Sequence, residues 1–249
     1  MKSLSTLLGN CVTLASLIAA STVTVGLMAS SASALSLVPQ EEGEVELVNI
    51  NDITAFDPAG LIGPAVTLPD LIASVESIAN PDGKFSRLFV DDLTTDSPYG
   101  IVHLRAGDIG TVPEGFWYRP SEIEEENGQL EVGTFKFMFT ETLPELTVRY
   151  FDTESSNTTG VPDFFSEVVT DGTLLSGENF VPAGEDGNIY TQTWGDVSFI
   201  TLKLGKDTAA TGDGVDFQLE TVPEPGTVLG LGTLAMAGAF GLRKRNRKA

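Results

Sequence analysis

The chain has one cysteine and one histidine in 249 residues, and those two scarcities exclude most metal and nucleophile chemistry at the outset. Cys11 lies in an N-terminal stretch that reads as a removable leader, so the remaining chain has no disulfide, thiolate site or cysteine nucleophile. With a single imidazole at His103, a zinc or copper site lacks the nitrogen and sulfur ligands it needs. A Ser-His-Asp triad would have to use His103, yet no G-x-S-x-G turn is present. The residue sits between Val102 and Leu104 in a strand-like run, which reads as an ordinary strand position.

Basic residues are also few, 14 against 35 acidic, for a net charge of −21. Six of the 14 lie at the two ends, leaving eight against all 35 acids between Leu35 and Pro225, a net −27. That balance repels nucleic acid and anionic lipid, and it favours solubility or divalent cations. No nucleic-acid partner is expected.

The first 34 residues read as a secretory signal. Lys2 gives the positive start, Leu4 to Leu27 is uncharged and apolar to small, and Ala32-Ser33-Ala34 supplies small residues at the −3 and −1 positions. Signal peptidase is expected to cut after Ala34. A retained membrane helix is the alternative, against which the Ser and Thr content and the A-x-A end both count. Leu8-Gly9-Asn10-Cys11 resembles a lipidation box, but Asn10 occupies a position that requires a small residue.

At the other end three elements follow in order. Val222-Pro223-Glu224-Pro225 precedes the 17-residue uncharged run Gly226 to Leu242, and Arg243, Lys244, Arg245, Arg247 and Lys248 follow before Ala249. As a helix, that run would cover roughly 25 Å, a marginal transmembrane span. The basic cluster keeps its end in the cytoplasm and the acidic body outside. The prolines force an extended backbone where a membrane protease could grip it.

This tail resembles the PEP-CTERM sorting signal. The resemblance implies an exosortase that recognises Pro223, Glu224 and Pro225 as substrate residues, removes the helix, and releases or transfers the protein to the outer surface. The expected path is therefore transient residence in the inner membrane, then the cell surface or the extracellular matrix.

Between the ends the hydropathy has period two. Phe135, Phe137 and Phe139 share one face, as do Leu146, Val148 and Tyr150, and Glu141-Thr142-Leu143-Pro144-Glu145 between them predicts a β-hairpin. Further strands are expected at 85–90, 99–105, 188–194, 197–204 and 215–221, with Val215, Phe217 and Leu219 facing together. Gly and Pro clusters punctuate the gaps. One helix is expected at 68–79, where Leu71, Ile72, Val75 and Ile78 have helical spacing. The predicted architecture is all-β, a β-sandwich or jelly-roll-like domain over 35–221, between an N-terminal signal helix and a C-terminal transmembrane helix. Leu130-Glu131-Val132-Gly133 followed by Thr134 to Phe137 resembles the cyanobacterial LEVG group of PEP-CTERM proteins, and Gly212 to Phe217 is similar to the segment preceding the motif in such proteins. That group implies no biochemical activity.

The remaining candidates are binding groups. Asp213 with Asp216, Asp91-Asp92 and Asp186-Gly187-Asn188 offer oxygen ligands for Ca²⁺, without EF-hand spacing; turn chemistry explains the same residues. Trp117 and Tyr118 (with Phe116) and Trp194 either form an aromatic platform for polysaccharide or pack in the core. Glu122, Glu124, Glu125 and Glu126 read as a solvated turn, and a glycosidase-like pair of carboxylates is the alternative. The 153–159 stretch, with Asn157-Thr158-Thr159, is a candidate glycosylated loop. The favoured expectation is a non-enzymatic surface protein of structural or interaction type. A carbohydrate-binding or calcium-dependent adhesive module is the first alternative, and a glycan-active hydrolase the second.

Overall fold

A computed structural model describes residues 33–49, 60–79, 83, 85–100, 102–104, 106, 113–121, 132–162, 169–205 and 214–222. The chain divides into Met1–Ser31, outside these residues, and Ala32–Ala249, which carries every described strand. The leader, Ala32, Asp213, the acidic run at 122–126, the motif Pro223 to Pro225, the apolar run and the basic cluster also lie outside them.

The described residues contain no helix. Eleven strands run in chain order: β1 Leu35–Ser36, β2 Gly43–Glu44, β3 Ile72–Ile78, β4 Arg87–Asp91, β5 Ser97–Tyr99, β6 Val102–Leu104, β7 Trp117–Ser121, β8 Gly133–Phe151, β9 Thr173–Ser176, β10 Ile189–Leu204 and β11 Asp216–Thr221. The all-β expectation holds. Instead of two separate sheets, nine strands form one curled sheet in the order β2-β4-β7-β11-β8-β10-β9, with β1 added to β11 and β3 to β8. β5 and β6 form a separate hairpin.

Four local expectations are corrected. The predicted hairpin around Pro144 is one bent strand, β8, whose first half pairs with β3 and whose second half pairs with β11. Its partner β10 likewise joins two predicted strands into one. Phe139 to Thr142 of β8 stand opposite only Ser198, between the Leu143↔Val197 and Met138↔Phe199 pairs. Asp196 has a positive φ of 55° beside this irregularity. Such a bulge bends the ribbon and accommodates a proline that has no N–H for a regular ladder.

The predicted helix at 68–79 is instead β3. Val75 pairs with Phe137 and Ser77 with Phe135, and both β3 residues are buried. Ser, Val and Ile have mediocre helix propensity, so pairing with β8 overrides a spacing that also fits a strand. The predicted strand at 99–105 folds back at Gly100, which has φ 61°, to give β5 and β6.

The inner face holds the predicted apolar sets. Phe135, Phe137, Leu146, Val148, Tyr150, Val215, Phe217 and Leu219 have no exposed surface. Tyr118 stacks on Phe217 at 5.1 Å, and Phe137 meets both rings edge-on. The outer face of β4, β7 and β11 is covered too. Phe89 packs there with Tyr99, Val102 and Leu104, and Trp117 with Leu93 and Phe151. Central strands buried on both faces are why Arg87, Asp91, Arg119 and Asp216 lie inside the protein.

Candidate functional site

Two places gather the residues with functional content: the paired chain ends and the carboxylate clusters. At the ends, Leu35 pairs with Thr221 and Ser36 with Glu220. β1 therefore begins one residue after Ala34, and β11 ends two residues before Pro223. Ser33 and Ala34 are exposed. Just inside, the Leu37 N–H donates to the Leu219 carbonyl at 2.7 Å, and the Tyr118 hydroxyl donates to the Leu37 carbonyl at 2.8 Å. Burial drives the Tyr118 hydroxyl pKa far up, so it serves as a neutral donor.

Among the described residues two carboxylate triads converge. Glu42, Asp91 and Asp92 bring oxygens within 4.8 Å of one another, as do Asp152, Glu154 and Asp186. In the first triad, partial burial raises the Glu42 pKa, and the charges of Asp91 and Asp92 add to the effect. Asp91 also accepts from Arg119 at 2.7 Å and from the Ser97 hydroxyl at 3.2 Å, while Asp92 accepts the Thr94 N–H at 2.9 Å. In the second triad, Asp152 has φ 64° and accepts the Gly187 N–H at 2.8 Å. Its N–H donates to the Asn188 carbonyl, which ties the end of β8 to the start of β10.

The sequence suggested Asp91-Asp92 and Asp186 but missed Glu42, Asp152 and Glu154. They are far away in the chain, and only the register of the strands unites them. Asp216, paired in the sequence with Asp213, is buried instead against Arg119 at 3.3 Å. Its predicted companion Asp213 lies outside the described residues, so the pair is not brought together there.

The aromatic platform is also corrected. Trp117 and Tyr118 have no exposed surface and Trp194 is 4 % exposed. The Trp117 ring meets Phe151, the Tyr118 ring meets Phe137 and Phe217, and the Trp194 indole N–H donates to the Gln192 side-chain oxygen at 3.4 Å. In the 153–159 loop Thr153, Thr158 and Thr159 are buried, the Thr158 hydroxyl donates to the Ser155 carbonyl, and the Thr159 hydroxyl accepts the Gly205 N–H. Ser156 and Asn157, in the same loop, are exposed. His103 lies on β6 as expected, half exposed and 3.8 Å from Asp96.

The buried acids are neutralised from within. Glu44 pairs with Arg87 and also accepts the Ile62 and Gly63 N–H groups at 2.6 and 2.9 Å. Arg119 stands between Asp91 and Asp216. These groups are locked into ion pairs across β2, β4, β7 and β11, as structural charges are.

The described domain is thus an all-β body whose two ends emerge together. Comparison with known families matches the PEP-CTERM protein-sorting motif over residues 221–246. The chain carries the sorting signal of an exported, cell-surface-directed protein, a signal processed by an exosortase. No curated protein and no solved structure matches the chain.

Proposed function

We propose that this is a non-enzymatic surface protein of structural or interaction type, held briefly in the inner membrane and then processed at Pro223-Glu224-Pro225. The observation that carries the reading is the sorting match at 221–246, which starts on the last residue of β11. Every described strand lies before Val222, so a cut at Pro223 to Pro225 takes none of the described strands from the sheet. The Arg87 and Arg119 pairs support the non-catalytic part, because they hold buried carboxylates in structural contacts. Membership in the LEVG group rests on Leu130 to Gly133 and the residues that follow. Intact mass of the secreted protein tests the sorting claim: the mature form starts at Leu35 and lacks Arg243 to Ala249. Secreted protein still ending in Arg247-Lys248-Ala249 refutes it.

A second reading is calcium-dependent adhesion or stabilisation, favoured by the two triads on separate loops. A divalent cation would offset the repulsion from Asp91 and Asp92 that adds to the burial-driven rise of the Glu42 pKa. Retention in the matrix through such a cation is compatible with the sorting path.

A further inference from the structure

We propose that β9 is a self-association edge, at which two copies of this chain pair antiparallel, β9 to β9, about a two-fold axis. The proposal adds a partner to the interaction reading and does not depend on the sorting path.

An edge strand is a template for another strand, because its outward N–H and C=O groups have no partner in their own sheet. The nine-stranded path ends at β2 and β9, and β1 and β3 branch from it. Three of these four edges are blunted. Beside β2, the Glu44 N–H donates to the Pro64 carbonyl at 2.8 Å, and the Val66 N–H donates to the Glu44 carbonyl at 3.0 Å. Beside β3, the Val48 N–H donates to the Val75 carbonyl at 2.9 Å. The Asn49 side chain then clamps Ser77, donating to its carbonyl at 2.8 Å and accepting its N–H at 3.2 Å. β1 is only two residues long. β9 has β10 on one side, and no described residue pairs with the other.

The composition of this edge fits a second copy. Gly172 to Gly177 carry no charge, in a body with 35 acidic residues against eight basic. Two such bodies repel wherever carboxylates face each other, so an uncharged edge is where they can touch. An antiparallel edge strand is complementary to itself about a two-fold axis. With Leu174 opposite Leu174, Thr173 stands against Leu175, Asp171 against Gly177, and Glu178 against Thr170. No carboxylate then faces another, whereas a shift of one residue sets Asp171 against Glu178. Asp171 is also turned onto its own chain, where it accepts the Ser198 and Phe199 N–H groups at 2.9 and 3.3 Å. Thr173, Leu175 and Ser176 are exposed, Leu175 at 58 %. The Leu175 side chain lies on Gly195, where an added Cβ would meet its Cδ1 at 3.0 Å. Apolar surface thus stands beside the open edge for a second strand to cover.

Pairing through β9 uses the same edge of both copies, so it closes as a dimer and does not grow into a fibre. The register of β9 on β10 shifts between Thr193 and Trp194, which keeps the edge short. A joint of four residues a side is smaller than a permanent interface, so the dimer forms at high concentration, as on a crowded surface.

The test is sedimentation of the exported protein at up to about 0.5 mM, in about 0.1 M and about 1 M NaCl, between which the screening length falls from roughly 10 Å to roughly 3 Å. The wild type should pass from monomer to dimer as concentration rises, and more readily at high salt. Thr173→Glu/Leu175→Glu sets like charges across the joint and should weaken the dimer by about tenfold or more. An equimolar mixture of that variant with Thr173→Lys/Leu175→Lys should form the mixed dimer in preference to either pure one. A wild type that stays monomeric throughout overturns the proposal. So does a dimer that the glutamate variant leaves equally strong, or a mixture without the mixed dimer. Each of those results leaves the sorting reading untouched, since intact mass decides it separately.

Discussion

Replacing Arg119 with methionine is the sharpest probe of how the body is held together. The Arg119 side chain is 3 % exposed; it lies 2.7 Å from Asp91 and 3.3 Å from Asp216, which are 0 % and 3 % exposed. Methionine fills much of the same volume but leaves two carboxylates in the interior without their cation. Breaking a buried pair in this way costs about 3–5 kcal/mol. A domain with a total stability of about 5–15 kcal/mol would lose a large share of it. At about 2–4 °C per kcal/mol for this size, Tm should fall by roughly 6–20 °C. Urea unfolding at neutral pH checks the figure, with an unchanged slope showing that the same surface is exposed. The triple variant Arg119→Met/Asp91→Asn/Asp216→Asn should recover most of the loss, since no charge is then stranded. Arg149→Met is the control: its pair with Glu220 is 3.7 Å long and about one-third exposed, and should be worth about 1 kcal/mol or less. If Arg119→Met costs no more than Arg149→Met, or the triple variant is no better than the single, the interior pairing does not stabilise the fold.

Gly160→Ala should destabilise by about 2–4 kcal/mol, measured by the same unfolding curves. Gly160 has φ 135°, and an added Cβ would drive into the Asn179 carbonyl. Tyr150→Phe should cost about 1–2 kcal/mol, because its hydroxyl donates to the buried Gln192 amide oxygen at 2.7 Å. Glu42→Gln should raise Tm at neutral pH. The folded Glu42 pKa is raised, so stability falls as pH rises through the window above the ordinary value, and the gain should vanish near pH 3, where both side chains are neutral. Calcium at about 10 mM should add roughly 1.4–2.7 kcal/mol per occupied triad for a Kd of about 10⁻³–10⁻⁴ M. Thermal melts against NaCl of matched ionic strength measure it; equal shifts in both salts refute specific sites.

The alternation at Phe135 to Phe139 and at Leu146 to Tyr150 was legible because period two survives any choice of neighbours. What joins those runs was not. A polar segment with a proline between two alternating runs fits a hairpin loop and a bulged strand equally well. Only the four-to-one mismatch against Ser198 decides for the strand. The 68–79 segment misled for a related reason: Ile72, Val75 and Ile78 satisfy a helical spacing, while the pairing of Val75 with Phe137 is a long-range fact absent from any local window. The aromatic platform failed because strands β4 and β7 are covered on both faces, which alternation does not reveal. The carboxylate clusters were half legible. Asp91-Asp92 and Asp186 advertise themselves as turn acids, whereas Glu42 and Glu154 join them only through the fold.

The distribution of cations ties the interior to the sorting path. Of the eight basic residues in the body, Arg87 and Arg119 are buried as counterions for Glu44, Asp91 and Asp216. Lys136 lies over the Phe199 ring at 4.9 Å, and Arg149 over the Trp117 ring at 5.6 Å while also facing Glu220. These four cations are thus committed to contacts within the protein. On the proposed route the signal cut removes Lys2 and the tail cut removes the five basic residues after Leu242. Each step makes the product more acidic. An anionic membrane surface repels such a body within a screening length of about 8 Å at physiological salt. The cut that removes the apolar anchor also removes the charges that would draw the protein back to lipid, so loss of the anchor and electrostatic repulsion act in the same direction.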